Sequence, residues 1–262
     1  MWQAWKRWRR SRIVQRAVLD EALWRATLAR VPFMRGLSDA ERARLREMVL
    51  LFLHCKSIHG AGGLEVDDGM RLLIAAQACL LILNLDIDFY RGWVEIIVYP
   101  AAFVPRFSYT DEAGVVHVAH DVHTGEAWLR GPIILSWADI EAPAHGDAQI
   151  VLHEFAHKLD MLNGDANGYP PLHRGMSRKS WSEAWEEGYA DFCRRLDLGG
   201  SIAIDEYAAE SPAEFFAVMS EAFFATPRAV IDGYPRIYEQ LRLFYLQHPL
   251  QRMSGDFGRA IS

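Results

Sequence analysis

Cysteine is scarce in this sequence. Cys55, Cys79 and Cys193 stand far apart in 262 residues, and no Cys-x-x-Cys pair occurs. An odd number of scattered thiols fits a reduced, cytosolic protein better than a disulfide framework. We therefore expect a cytoplasmic location.

Long hydrophobic runs are also lacking. The longest, residues 72–83, is interrupted by Gln77 and is too short to cross a bilayer. No apolar segment follows the basic N-terminus, so a secretory signal peptide is not expected. These absences predict a soluble protein without a transmembrane segment.

Acidic side chains are missing from residues 1–16, where six basic residues stand among Trp2, Trp5 and Trp8. The rest of the chain has 22 basic against 34 acidic side chains, a balance of −12. Such an acidic body argues against direct nucleic-acid binding. The basic stretch has two interpretations: an amphipathic anchor on an anionic membrane surface, or a frayed N-terminal extension, which is common at chain termini and is what we expect here.

Helical patterns dominate the first third and the last part of the chain. Ser38 with Glu41, and Ser180 with Glu183, have the spacing of helix-capping boxes. The middle of the chain instead shows short apolar runs without crossover helices between them, which favour a small mixed or antiparallel sheet. The predicted strands are residues 94–99, 115–122, 127–130 and 132–137.

Neither an internal repeat nor a linker interrupts the chain. We therefore expect a basic extension and first helix in residues 1–30, followed by one domain in residues 31–262. The fold class that these patterns predict is α+β, with helical layers around a small mixed sheet.

One motif, H-E-F-A-H at residues 153–157, points to chemistry. Positions i and i+4 share a helix face, so His153 and His157 can direct two imidazoles at one metal ion. Glu154 then stands where a zinc peptidase has its general base. The apolar residues around the motif predict a buried helix, in which unpaired histidines and a carboxylate are costly. A metal centre explains this pattern better than a chance match on a surface helix.

A catalytic zinc site needs a third protein ligand. The metzincin pattern requires Gly at position 160 and His at 163, and the chain has Asp160 and Asn163 instead, which excludes that class. Asp160 suits a hydrogen bond to a ligand histidine or a plain helical salt bridge equally well. The remaining arrangement is that of the gluzincins, with a carboxylate from a later helix. The candidates are Glu186, Glu187, Asp191, Glu210, Glu214 and Glu221.

Glu214 opens an otherwise apolar helix. It also lies three residues after Ser211, which is capping-box spacing, so the residues alone leave metal ligand and helix cap equally open. Tyr207 precedes Glu214 by seven residues. Near zinc, its phenol could donate a hydrogen bond to an oxyanion, whereas packing of the ring in a loop is the ordinary alternative.

Several motifs together resemble the Mlc titration factor A family. They are H-E-F-A-H-K-L-D at 153–160 with N-G-D at 163–165, I-D-E-Y-A-A at 204–209 and P-A-E-F-F-A-V at 212–218. Further matches are I-V-Y-P-A at 97–101, G-P-I-I-L at 131–135 and, more weakly, H-P-L at 248–250. The resemblance covers most of the chain after about residue 35 and leaves out the basic N-terminus.

This resemblance implies a soluble zinc metallopeptidase with a gluzincin-like core similar to that of anthrax lethal factor. By position it implies zinc ligands at His153, His157 and Glu214, a general base at Glu154 and an oxyanion donor at Tyr207. A family histidine that approaches the metal from an upstream segment matches His117. A fourth protein ligand would close the metal site.

Two functions follow as expectations. The first is a zinc-dependent metallopeptidase acting on peptide or protein substrates, with small peptides and aminopeptidase-type substrates among them. The resemblance also implies binding to Mlc, a glucose-responsive transcriptional repressor, and modulation of glucose phosphotransferase genes. The alternative is a non-catalytic protein that sequesters the repressor and carries a secondary zinc site. We expect a monomer.

Overall fold

The protein is described here from a computed structural model. It describes residues 2–101, 107–110, 116–119, 131–141 and 149–256. The predicted strand at 127–130 lies outside these residues. In the described part of the chain, no helix is both long enough and apolar enough to cross a membrane.

The first third of the chain is helical, as predicted. Ser38 caps the third helix, and the Ser38–Glu41 capping box is confirmed, since each side chain bonds the backbone N–H of the other residue. Asp67 caps the fourth helix by accepting from the N–H of Met70. The elements are α1 (Trp2–Arg16), α2 (Glu21–Arg30), α3 (Asp39–Cys55) and α4 (Asp68–Leu81), with 3-10 turns at Pro32–Met34 and Ile87–Tyr90.

The basic N-terminus is an ordered helix, so the expected frayed extension is wrong. Helix α1 packs on α3. Lys6 forms an ion pair with Asp88, and the Arg10 guanidinium lies 2.8 Å from a carboxylate oxygen of Asp86 and of Asp88. These contacts hold α1 against the turn at Ile87–Tyr90, and composition alone does not reveal them.

The described strands form two small sheets. β1, β2 and β5 pair in that order, and both pairings are parallel, with Ile96 opposite Ile58 on one side and Ile133 on the other. β3 and β4 form a separate antiparallel hairpin. The strands are β1 (Ser57–Gly60), β2 (Glu95–Tyr99), β3 (Phe107–Thr110), β4 (Val116–Ala119) and β5 (Ile133–Ser136).

The expectation of a mixed or antiparallel sheet is therefore wrong for the three-stranded sheet. One reason is β1, which is not among the strands that the sequence predicts. Helix α4 lies between β1 and β2 in the chain and serves as the crossover that a parallel pair requires. The α+β class itself holds, since the molecule is mostly helical around a small sheet.

The second half of the described chain is again helical. Pro212, Pro227 and Pro235 each occupy the first turn of a helix, where their missing N–H costs nothing. Ser177 caps α7, in place of the predicted Ser180. The elements are α5 (Trp137–Glu141), α6 (Ile150–Asp160), α7 (Arg178–Asp197), α8 (Pro212–Ala225), α9 (Pro227–Gly233), α10 (Pro235–Tyr245) and α11 (Pro249–Asp256), with 3-10 turns at Met161–Asn163 and Glu206–Ala209.

Helix α6 runs through the core, in contact with α4 and α8. Its Phe155 is fully buried and packs among Phe52, Tyr90 and Trp93, with ring centroids 5.1 to 5.7 Å away. Such aromatic contacts add to the free energy that burial already contributes. With Phe155 anchored in this way, the opposite face of α6 points toward α8.

Candidate metal centre

The two motif histidines lie one turn apart on α6 and face the same way. Their Nε2 atoms are 3.2 Å apart, and their ring centroids 4.8 Å. Leu152, Phe155 and Ala156 are fully buried around them, so the apolar face of α6 fixes the direction in which the histidines point. The spacing of the motif therefore produces the paired imidazoles that the sequence predicts.

Helix α8 brings Glu214 to this pair. The Ser211 hydroxyl caps α8 by accepting from the Glu214 N–H at 3.1 Å. The Glu214 carboxylate is turned away from the cap, with Oε2 3.0 Å from His153 Nε2 and 3.3 Å from His157 Nε2. Capping and side-chain contact with the histidines are therefore compatible, because Ser211 supplies the cap.

The donor atoms of His153, His157 and Glu214 all lie within 4.8 Å of one another. A tetrahedral zinc ion with ligands at about 2.05 Å has ligand–ligand edges of about 3.3 Å. The three edges here, 3.0, 3.2 and 3.3 Å, match that spacing. Two imidazole nitrogens and a carboxylate oxygen are also the donor types that zinc binds in catalytic sites. The residues fit a zinc ion.

The electrostatics of these side chains reflect the same convergence. Burial alone would lower the pKa of His153, but hydrogen bonds to Glu214 and Glu221 and the charges of Glu154 and Glu214 raise it to about 10. Burial would likewise raise the pKa of Glu214, and the two histidines hold it at about 2. A proton on His153 thus occupies the place where a cation fits.

Glu221 lies on the other side of His153. Its Oε2 is 3.5 Å from His153 Nδ1, and its Oε1 accepts from the backbone N–H of Gln149 at 2.6 Å. Glu214 and Glu221 are seven residues apart on α8, two turns of one helix face. In the sequence, Glu221 is only one of the candidate ligands. The structure instead shows it bonded to the far nitrogen of His153 and to the start of α6.

Tyr207 and Glu154 flank the cluster. Tyr207 lies in the 3-10 turn Glu206–Ala209, is half-exposed, and has its ring centroid 6.0 Å from that of His153. Its pKa is raised by partial burial and by the negative charges of Glu214, Glu154 and Glu210. The phenol is therefore beside the site and protonated at neutral pH.

Asp160 hydrogen-bonds neither His153 nor His157, so the first of its two predicted roles is wrong. Among the described residues it also makes no helical salt bridge, which was the second. Its Oδ2 accepts from the N–H of Gly168 at 2.7 Å. Burial raises the pKa of Asp160 to about 6, against hydrogen bonds from the backbone of Gly168, Asn167 and Tyr169. Asp160 thus ties the loop after α6 to the end of that helix.

Gly168 is a joint between three helices. Its N–H bonds Asp160 at the end of α6, and its carbonyl accepts from Trp181 Nε1 of α7 at 3.2 Å. The backbone φ is +76°, and a Cβ at this position would lie 2.6 Å from the Pro212 carbonyl oxygen at the start of α8. Only glycine fits so close to the Pro212 carbonyl. Pro212 lies two residues before Glu214.

The other candidate acids do not join the cluster. Glu187 pairs with Arg236, and Asp191 with Arg194 and Arg195, so these acids are engaged away from the histidines. Glu186 and Glu210 are exposed.

His117 lies in β4, where its backbone is paired with Tyr109. Its side chain lies outside the described part, so its role as a fourth ligand stays a prediction.

A family comparison agrees with this geometry. The family described as "Glucose-regulated metallo-peptidase M90" matches residues 5–246 of the chain. The chain belongs to this family. The matched segment begins within α1, ends just past α10 and includes every residue of the cluster on α6 and α8. It also includes most of the basic N-terminus, so the expectation that this stretch lies outside the family resemblance is wrong.

Curated relatives of this M90 chain carry the name Mlc titration factor A. The protein from Cronobacter sakazakii is 36% identical over 240 residues, which is 90% of each chain. The protein from Salmonella schwarzengrund is 37% identical over 262 residues, 96% of each chain. That from Escherichia fergusonii is 35% identical over 240 residues, again 90% of each chain. The predicted family is therefore confirmed.

Proposed function

We propose that this chain is a zinc-dependent metallopeptidase whose metal is held by His153, His157 and Glu214. The observation that carries the proposal is the convergence of two imidazole nitrogens and one carboxylate oxygen within 3.0 to 3.3 Å. Membership in a metallopeptidase family supports it. When bound in such a site, zinc acts as a Lewis acid that polarises a carbonyl and acidifies water.

Glu154 is the general base in this mechanism. It follows His153 directly on α6, is partly buried, and its charge acts on His153, Lys158 and Tyr207. A carboxylate placed among these groups can take the proton of an attacking water and pass it to the leaving amine. Lys158, whose Nζ donates to the Gly131 carbonyl at 2.9 Å, follows Glu154 by one turn of α6.

Tyr207 is the oxyanion donor. Its phenol is half-exposed beside the cluster, so a substrate carbonyl can approach it from solvent. The raised pKa keeps the O–H protonated, and the O–H can donate to the carbonyl oxygen as negative charge develops there. Glu154 and Tyr207 thus supply the proton acceptor and the hydrogen-bond donor that peptide hydrolysis requires.

The test is hydrolysis of small chromogenic peptides by protein stripped of metal with chelator and then reloaded with zinc. Activity should appear only with metal. Glu154→Gln should retain stoichiometric zinc but lose roughly 10²- to 10⁴-fold in rate, the usual contribution of a general base. Glu186→Gln on the exposed face of α7 is the matched control and should be fully active. Zinc-dependent activity that persists in Glu154→Gln would sink the mechanism.

Glu214→Gln separates metal ligand from helix cap. Ser211 caps α8 through the backbone N–H of Glu214, which the substitution keeps. The variant should therefore fold normally but bind zinc at least about 10- to 100-fold more weakly, since an amide oxygen is a poorer donor than a carboxylate. Zinc affinity follows from competition with a chromophoric chelator. Wild-type affinity in Glu214→Gln would remove Glu214 from the ligand set.

A second candidate function is binding of an Mlc-type repressor in the cytoplasm, with consequent modulation of glucose phosphotransferase genes. The curated relatives' name, Mlc titration factor A, favours it. The balance of −12 outside residues 1–16 also suits a partner with a basic DNA-binding surface. Release of such a repressor from DNA should be measured with wild type and Glu154→Gln. If wild type and Glu154→Gln both release the repressor from DNA, binding alone suffices. If Glu154→Gln does not release it, cleavage is required.

A further inference from the structure

The outward face of α1 carries charge that the fold leaves uncompensated. Of the six basic residues in positions 1–16, Lys6 and Arg10 turn inward to Asp86 and Asp88. The other four are exposed, and none of them makes an ion pair with a described residue. They are Arg7, Arg9, Arg12 and Arg16.

Two tryptophans share this face. Trp5 and Trp8, one turn apart, are 47% and 57% exposed, whereas Trp24, Trp93 and Trp181 are buried in the core. Arg9 lies 5.8 Å from the Trp5 ring centroid, and Arg12 lies 5.4 Å from that of Trp8. Alternating tryptophan and arginine side chains suit the headgroup region of a membrane, where the indole is part apolar and the guanidinium meets phosphate.

A groove of about 600 Å³ runs between α1 and α3, beside these residues. Its floor is apolar, with Ile13, Leu50 and Leu53, and its rim is cationic, with Arg9, Arg12 and Arg16. An apolar floor under a cationic rim is complementary to an anionic amphiphile, whose acyl chain and phosphate have the same two parts. Nucleic acid offers phosphate but no acyl chain for such a floor.

Charge elsewhere on the molecule restricts how it could approach an anionic surface. Outside residues 1–16 the chain has a balance of −12, so an anionic bilayer repels the body and attracts α1. The ion pairs of Lys6 and Arg10 hold α1 on the body with its arginines outward. We propose that this face of α1, with the groove beside it, docks the protein on an anionic phospholipid surface without crossing it.

The experiment is co-sedimentation of the full chain with phosphatidylcholine vesicles, with and without phosphatidylglycerol. Wild type should sediment only with the anionic vesicles, and less so in high salt, since the Debye length falls from about 30 Å at 0.01 M to about 3 Å at 1 M. Each basic residue at an anionic surface contributes about fivefold to binding. The pair Arg9→Gln and Arg12→Gln should therefore bind about 30-fold more weakly.

Matched variants separate charge from apolar contact. Arg178→Gln with Lys179→Gln removes the same charge from the exposed start of α7 and should leave vesicle binding unchanged. Trp5→Ala with Trp8→Ala keeps the charge and should also weaken binding, and peptidase activity on small peptides should be unaffected in all of these variants.

Three results would overturn the proposal. The first is that wild type does not bind anionic vesicles, and the second is that the double variant Arg9→Gln with Arg12→Gln binds them as tightly as wild type. The third is arginine-dependent binding to duplex DNA in place of vesicles.

Discussion

The imidazole of His153 lies between two carboxylates of one helix. Glu214 contacts Nε2 at 3.0 Å, and Glu221 contacts Nδ1 at 3.5 Å. A carboxylate on the far nitrogen of a ligand histidine fixes its tautomer and ring direction and increases its basicity. Because Glu221 also holds the N–H of Gln149, it sets where α6 begins relative to α8.

We predict that Glu221→Gln weakens zinc binding by about 10- to 100-fold, the usual effect of losing such a partner. Zinc titration of the metal-free protein against a competing chelator measures this without reference to activity. The amide oxygen of Gln can still accept from Gln149, so the fold should persist, with unchanged circular dichroism. Glu186→Gln is the charge-matched control. Equal zinc affinity in Glu221→Gln and wild type would leave Glu221 with only a structural role.

A second residue-scale prediction concerns protons. In the metal-free protein the pKa of His153 is about 10, raised from the ordinary value of about 6.5, so the folded site holds this proton through neutral pH. Zinc requires the neutral imidazole, so binding should release about one proton from His153. The apparent affinity should rise about tenfold per pH unit through neutral pH and level off near pH 10. Glu214, with its pKa near 2, is already ionised and contributes none.

Calorimetric titration of zinc in buffers of different ionisation enthalpy counts these protons directly. A proton count near zero at neutral pH would mean that His153 is neutral before metal binds, contrary to the prediction.

Sequence reasoning at this scale found the histidines because their i, i+4 spacing is enough to place both on one helix face. Glu214 remained open between ligand and cap, since the direction of its side chain depends on how α8 packs on α6. The signal for Glu221 was present in the sequence: it follows Glu214 by two helical turns. Nothing local shows that a histidine lies beside that face.

At the scale of elements, Gly168 is a position that does not tolerate a side chain. We predict that Gly168→Ala destabilises the protein by about 1 to 3 kcal/mol, because alanine is strained at a positive φ and its Cβ meets the Pro212 carbonyl. The displaced start of α8 should also move Glu214 and weaken zinc binding. Denaturant unfolding and zinc titration measure the two effects.

Gly175→Ala, in the same connection between α6 and α7, is the control. A Cβ there meets nothing within 4 Å, so both stability and zinc affinity should stay close to wild type. If Gly168→Ala lost stability but kept full zinc affinity, the clash at Pro212 would not displace the Glu214 side chain.

Elements differ in how well the sequence predicts them. The capping box at Ser38 was predicted because a cap depends on a few adjacent residues. Strand β1 was missed because four residues ending at Gly60 carry too short a pattern, and its pairing depends on Glu95–Tyr99, far along the chain. At α7, Ser177 and Ser180 are both good cap residues, and the structure places Ser177 at the cap, where its hydroxyl accepts from the Ser180 N–H.

At the scale of the whole molecule, zinc should act as a stabilising ligand. At a free concentration about 100-fold above its dissociation constant, it should add about 2.7 kcal/mol. With an unfolding entropy of about 2.1 cal/mol/K per residue, this corresponds to a rise in Tm of about 5 °C for 262 residues. Scanning calorimetry should show the rise in wild type and in Glu154→Gln, and a much smaller one in Glu214→Gln.

An equal rise in Tm for Glu214→Gln would indicate that zinc stabilises the protein from another site.

The overall α+β class was predictable because helical periodicity extends over long segments. The parallel sheet was not predictable, since its order depends on contacts between distant strands. The assignment of residues 31–262 to a single domain stays a prediction.

The division of the candidate metal cluster between α6 and α8 has a consequence for when the proposed ion could bind. About sixty residues separate His153 from Glu214, and α7 forms between them. At a synthesis rate of about 5 to 20 residues per second, Glu214 emerges seconds after the histidines. During synthesis the nascent chain therefore exposes two histidines long before it can offer the carboxylate. With the proposed ligand set, high-affinity capture of the ion would be a late event, restricted to chains that have already docked α8 on α6. Metal content would then report how much of a protein preparation has completed its fold.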